Sequence, residues 1–214
     1  MTALAPQTRF TPDDLLRLDE EGVYELVDGK LVEKPMSSDA SEVAWIIGSH
    51  LFIHLIQTRG GTCYPEQTFK CFPDPDLVRR PDLAFVAAKR VSGVNKEGHV
   101  LIAPDLAIEV VSPTDKIYEL DEKLADYRSA QIPLVWVVDP KARTVWVRRI
   151  GQPSIELEET DTLTGDPVLP GFSIIVKKLF EITQPRPWAS LTIESPDKAL
   201  SALRRSATAS SAWR

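Results

Sequence analysis

Apolar residues recur every three or four positions in some stretches of the chain and every second position in others, and that contrast predicts where helices and strands lie. Thr11-Pro12-Asp13-Asp14 joins a cap, a proline suited to the first helical position and acids for the first turn, so a short helix starts there and stops near Gly22. Tyr24–Val27 and Lys30–Glu33 flank Asp28-Gly29, a pair suited to a primed turn, and predict a hairpin. Asp39, with Glu42 three residues on, is placed to cap a helix running to about Arg59, where Gly60-Gly61 ends it. Val43, Trp45, Ile46, Ile47, Leu51, Phe52, Ile53, Leu55 and Ile56 cover most of its circumference, so this helix is expected to be largely buried.

Strands are expected over residues 62–72 (continuous or interrupted), 82–87, 106–111, 134–138 and Thr144–Arg149, with shorter ones at 155–158 and 172–176 and a helical turn at 177–180. Between the third and fourth lies a helix that Asp115 can cap, with Ile117, Leu120, Leu124 and Tyr127 along one apolar face. The order implies an α/β (α+β-like) arrangement, a mixed β-sheet with helices packed on it. Residues 1–10 read as a flexible N-terminus and 11–183 as a single domain. The stretch 184–214, rich in Pro, Ser, Ala and Thr, reads as a tail, disordered or weakly helical near 197–205.

Composition narrows the class. The 214 residues, 43% of them hydrophobic, suffice for a core without metal or disulfide staples, and Cys63 and Cys71 are too few for a disulfide framework. The longest apolar stretch, residues 43–57, is interrupted by Gly48, Ser49, His50 and His54, so no membrane span is expected. With no secretory leader in the first ten residues, the expectation is a soluble, cytoplasmic protein. A net charge of −6 argues against a generally basic nucleic-acid coat, yet the segments 79–96 and 141–149 gather nine basic residues against Asp82 alone. They read as solvated surface or as a phosphate-facing surface.

Glu109 carries the sharpest chemical signal. It stands inside the apolar run Leu106-Ala107-Ile108-Glu109-Val110-Val111, on the face shared with Ala107 and Val111. A buried lone carboxylate costs several kcal/mol unless it is paired or bound to a cation, so its presence needs an arginine partner, an exposed face, or a role as metal ligand or acid/base group. Asp82, after Pro81, opens another apolar strand; a strand-entry turn explains it equally well. On the following helix Lys116 and Lys123 both project near the edge of the apolar face, and Lys123 could instead pair with Glu119 at the surface. Two carboxylates on adjacent strands with a lysine suit phosphodiester hydrolysis: hard oxygen ligands for Mg²⁺ or Mn²⁺, a polarised phosphate, and an ammonium for the developing charge.

These segments resemble the PD-(D/E)XK nuclease superfamily, in its restriction-endonuclease (Uma) branch. The matching pieces are Tyr24-Glu25-Leu26-Val27-Asp28-Gly29-Lys30-Leu31-Val32, Arg80-Pro81-Asp82-Leu83-Ala84-Phe85-Val86, Pro104-Asp105-Leu106-Ala107-Ile108-Glu109-Val110-Val111-Ser112-Pro113 and Lys123-Leu124-Ala125-Asp126-Tyr127-Arg128. Pro133-Leu134-Val135-Trp136-Val137-Val138-Asp139-Pro140 and Leu169-Pro170-Gly171-Phe172 extend the resemblance over about residues 11–181. It implies a restriction-endonuclease-like core, Asp82 and Glu109 as ligands of Mg²⁺ (or Mn²⁺), and catalysis by Asp82, Glu109 and Lys123. Val111 stands where the superfamily usually has its lysine, and Lys123 matches members whose lysine has moved to the next helix; Lys116 is the fallback. Glu25 fits the pattern as an accessory acid, or is an exposed hairpin residue.

The function so implied is a metal-dependent endonuclease acting on DNA, expected to be a homodimer because cutting a duplex commonly uses two sites. The alternative is a catalytically silent nucleic-acid or protein interaction module with the same fold; a third is nuclease action on RNA or branched DNA. His50, His54, Cys63 and Cys71 could sketch a zinc site, but their wide spacing and the apolar helix favour packed residues. No nucleophile elbow or phosphate-cradling glycine loop is present, and Trp136 and Trp146 read as core or interface aromatics.

Overall fold

In the computed structural model, residues 9–18, 22–34 and 37–181 are described. Helix α1 (Pro12–Leu18) precedes the hairpin β1 (Tyr24–Val27) and β2 (Lys30–Glu33), in which Asp28 (φ 51) and Gly29 (φ 73) form the primed turn. Helix α2 (Ser38–Thr58), β3 (Gly61–Pro65), β4 (Leu83–Ala87), β5 (Leu106–Val110), helix α3 (Ile117–Ser129), β6 (Leu134–Asp139), β7 (Thr144–Arg149) and β8 (Ile155–Leu157) follow. A separate ribbon pairs β9 (Thr162–Thr164), which the hydrophobic pattern did not predict, with β10 (Ser173–Ile175). The chain divides into a unit ending at Phe180 and a second starting at Glu181. The expected tail at 184–214 with its weak helix, and residues 1–8 of the expected flexible N-terminus, lie outside the described residues.

Strands β3 to β8 form one mixed sheet in chain order. Every neighbouring pair is antiparallel except β5 and β6, which run parallel. A parallel pair needs a crossover, and α3 supplies it. The expected alternation in β5 holds: Leu106, Ile108 and Val110 pack toward Val43, Ile47, Leu51 and Leu55 of α2, and Ala107 packs with Leu124 and Tyr127 of α3 on the other face. The fold is therefore the expected mixed sheet flanked by helices.

Three local expectations are corrected. Helix α2 is capped by Ser37, whose Oγ accepts the Ala40 N–H at 3.2 Å, rather than by Asp39. It is also not largely buried: Trp45 is 76% exposed, and Phe52, Ile53 and Ile56 also face out. A helix lying on one face of a sheet buries only the stripe toward it, here Val43, Ile47, Leu51 and Leu55. Asp115 does not cap α3; its Oδ2 accepts the Ser112 N–H at 2.8 Å and Lys116 takes the cap position. Ile117 is consequently 82% exposed, and Lys123 joins Leu124 and Tyr127 on the buried face.

Candidate active site

Glu109 stands next to the carboxyl end of β5, on the face that α3 covers. Lys123 and Tyr127 are four residues apart on α3, so both reach it from one side of the helix. The Lys123 ammonium lies 2.9 Å from Glu109 Oε2, and the Tyr127 hydroxyl donates to Oε1. Asp82 precedes β4, whose Leu83 is registered against Ile108 of β5, so continuing the antiparallel register sets Asp82 beside Glu109. Asp82 Oδ2 accepts the Val110 N–H at 2.5 Å, tying the carboxylate to the end of β5.

Glu25 arrives from the hairpin. Reciprocal backbone bonds between Leu26 and Val78, at 3.0 and 2.9 Å, dock β1 against the chain before Arg79. Glu25 Oε1 accepts the Arg80 N–H at 2.7 Å and meets Lys123 Nζ at 2.8 Å; Oε2 meets Arg79 at 2.9 Å. Arg79 is held on its other side by Asp126 at 2.6 Å. Lys34, just after β2, completes the cluster: its ammonium is 2.6 Å from Asp82 Oδ1, 3.2 Å from Glu66 Oε2 and 3.0 Å from the Arg80 carbonyl.

Glu25, Lys34, Glu66, Arg79, Asp82, Glu109 and Lys123 line a cavity of about 110 Å³. Its walls carry seven carboxylates (Glu25, Glu33, Glu66, Asp82, Glu109, Asp115, Glu119) against Lys34, Arg79, Lys116 and Lys123, a surplus of negative charge when all are ionised. Burial pushes the Glu109 carboxyl up to about 7, because Lys123 and Lys34 offset only part of its desolvation and Asp82 and Glu25 repel it. Glu25 shows the opposite balance: burial pushes it up, but Lys123 and Arg79 overcome that and hold it at about 2. Lys123 is equally buried, yet Glu109, Glu25 and Asp82 hold it above the ordinary lysine value, so its ammonium stays charged.

The structure thus brings Asp82, Glu109, Lys123 and Glu25 together, and it separates the two lysines that the helical wheel left open. Lys116 has a side chain 59% exposed and pairs with Glu119 at 2.8 Å on the outer rim, leaving Lys123 without the surface pair that Glu119 offered. Glu25 is only 4% exposed, so the reading of it as an exposed hairpin residue is excluded. Sequence reasoning missed Lys34, Glu66, Arg79 and Tyr127. Tyr127 had a usable signal, its i,i+4 spacing from Lys123; Lys34 and Glu66 follow short strands whose direction only the packing sets.

The basic segments are corrected in part. Arg79 and Arg80 are buried, Arg90 bonds Asp105 and the Ala103 carbonyl, Arg143 bonds Glu159, and Arg149 bonds the carbonyls of Thr164 and Asp166. Lys89, Lys96 and Lys141 remain exposed. His54 packs edge-on against Phe172 at 5.5 Å, and burial pushes the Cys63 thiol up to about 12 and Cys71 to about 11. Among the described residues, no three or more His, Cys, Asp or Glu side chains form a ready-made metal cage. The donors at the cavity are all oxygen, which suits Mg²⁺; that ion commonly takes one or two carboxylates and completes its shell with water and phosphate. None of the helices among the described residues is long and apolar enough to cross a membrane.

Residues 12–177 match the family Uma2, described as "Putative restriction endonuclease". Among solved structures, the chain is similar to a "putative nuclease belonging to DUF820" from Anabaena variabilis ATCC 29413, with a TM-score of 0.69 and 24% identity over 80% of this chain and 97% of that one. A part of the DrdV–DNA complex aligns at a TM-score of 0.33 and 14% identity, over 68% of this chain and 14% of that one. No curated protein matches.

Proposed function

The chain belongs to the Uma2 family, and we propose that this protein is a metal-dependent endonuclease that hydrolyses DNA phosphodiester bonds. The observation that carries this reading is the convergence of Asp82, Glu109 and Lys123, from three separate elements, on one acidic cavity. Asp82 and Glu109 would hold Mg²⁺ or Mn²⁺, and the bound ion supplies Lewis-acid polarisation of the phosphate and a lowered pKa for an attacking water. The surplus of carboxylates supports a divalent cation here and opposes a bare phosphate.

Lys123 contributes a fixed positive charge. Glu109 and Glu25 hold its ammonium at 2.9 and 2.8 Å, so it is oriented before substrate arrives and stabilises negative charge developing on the phosphate. Tyr127 positions Glu109 by donating to the oxygen that Lys123 leaves free. Glu25 and Arg79 are positioning residues that set Lys123. The reading also takes the protein as a homodimer, one site per strand, in a cytoplasm that keeps Cys63 and Cys71 reduced; sedimentation measures the first and fractionation the second.

Nicking of supercoiled plasmid tests the proposal. With Mg²⁺ or Mn²⁺ the purified protein converts plasmid to the open circle, and EDTA stops it. Asp82→Ala, Glu109→Ala and Lys123→Ala each lower the rate by about 10²-fold or more, while Lys116→Ala stays near wild type. Absence of metal-dependent nicking, or equal nicking by all variants, would favour the silent module on this substrate. Parallel assays on RNA and branched DNA test the third reading.

A further inference from the structure

We propose that Lys34 is a built-in counterion that closes Asp82 to a divalent cation, and that cation binding releases Lys34 onto Glu66. This rests on the metal reading above. Both Asp82 oxygens are already engaged, Oδ1 by Lys34 at 2.6 Å and Oδ2 by the Val110 N–H at 2.5 Å. The Lys34 and Asp82 side chains are only 12% and 13% exposed, so water screens their contact weakly. A divalent cation bonding the same oxygen at about 2.0–2.1 Å would face a positive charge directly in front of it.

Lys34 has acceptors to fall back on. Its ammonium already meets Glu66 Oε1 at 3.3 Å and Oε2 at 3.2 Å and the Arg80 carbonyl at 3.0 Å. All three contacts are longer than the one to Asp82, so a small shift away from Asp82 strengthens its hold on Glu66 without leaving the charge unpaired. Glu66 is fixed as the receiver, because its N–H donates to the Asp82 carbonyl at 3.1 Å. Lys123 is held more tightly: Glu25 and Glu109 grip it from two sides at 2.8 and 2.9 Å, and its remaining acceptor, the Arg80 carbonyl, stands 3.5 Å away. The cavity therefore holds one fixed lysine and one exchangeable lysine.

Mn²⁺ binding to the full chain, read by titration calorimetry and by the loss of the free-ion electron paramagnetic resonance signal, tests this without any turnover. Lys34→Met and Lys34→Gln should bind Mn²⁺ about tenfold or more tightly than wild type, and Asp82→Asn should abolish the gain. Lys34→Met combined with Glu66→Gln, which also removes the second carboxylate that Lys34 pairs with, should keep the gain if the single variants fold poorly. Acylation of Lys34 by an amine-reactive ester, followed by mass spectrometry, should rise with Mn²⁺ in wild type and stay flat in Asp82→Asn. Equal Mn²⁺ affinity of wild type and folded Lys34 variants, with Asp82→Asn still abolishing binding, would overturn the inference and leave the metal reading standing. Tighter binding without a rise in acylation would overturn the release. No Mn²⁺ binding by any of these proteins would overturn both readings.

Discussion

Glu25 and Glu109 are identical residues in one cavity, and their neighbours set them in opposite directions. Glu25 is held at about 2 against an ordinary value of 4.5, so its contribution to stability is complete above about pH 4.5 and is lost as pH falls toward 2. Glu109 is pushed up to about 7, so the folded state binds its proton more tightly than the unfolded chain, and stability falls as pH rises from about 4.5 to 7. Glu25→Gln should cost about 3 kcal/mol in urea unfolding at pH 7, because it removes a partner from both Arg79 and Lys123, and it should flatten the acid limb below pH 4.5. Glu109→Gln should instead remove the decline between pH 4.5 and 7. The carboxyl near the end of β5 was legible as an anomaly in an apolar run; the sign and size of its shift depend on Lys123, Lys34, Asp82 and Glu25, which lie far apart along the chain.

Among elements, the junction of α2 and β3 shows how one glycine is required and another is not. Helix α2 stops at Arg59, which adopts the left-handed conformation (φ 53), and Gly61 (φ +152) starts β3 where a Cβ would stand 2.2 Å from the Val86 carbonyl oxygen. Gly48, inside α2, would place a Cβ 3.6 Å from a Leu83 methyl, an ordinary contact. Gly61→Ala should therefore destabilise by more than about 1 kcal/mol and Gly48→Ala should stabilise by about 0.5–1 kcal/mol, measured by urea unfolding. The sequence pattern placed the end of α2 correctly to within a residue or two, because Gly60-Gly61 is a local signal. It overestimated the burial of α2, because Trp45, Phe52, Ile53 and Ile56 are apolar without having a layer to pack against among the described residues.

For the whole molecule, the six-stranded sheet is shared by two cores, one under α2 and one under α3. Leu51 of α2 and Leu124 of α3 pack on opposite faces, 0% and 4% exposed. Leu51→Ala and Leu124→Ala should each cost about 2–5 kcal/mol. Far-ultraviolet dichroism and tryptophan fluorescence should still report one coincident transition, because both cores rest on the same strands. Separate transitions would show that the two faces unfold independently. The mixed sheet also gives the cavity its position: β5 and β6 end on the same side because they are parallel, and β4 starts there because it runs the other way. That arrangement brings Asp82 and Glu109 side by side at the carboxyl end of β5.

The sequence by itself determined the central strands β4 to β7, the hairpin turn at Asp28-Gly29, the crossover helix and the unusual carboxylate at Glu109. Each depends on backbone sterics or hydrophobic periodicity, which act over a few neighbouring residues. Only the tertiary structure decided that Lys123 enters the cavity while Lys116 stays on its rim, that Arg79 and Arg80 are buried, and that Lys34 and Glu66 join Asp82. Those outcomes depend on the rotation of α3 about its axis and on the docking of the hairpin through Leu26 and Val78. Charge pairing and desolvation act through space, and residues 14 to 98 positions apart in the chain, from Glu109–Lys123 to Glu25–Lys123, meet there only after the sheet has formed.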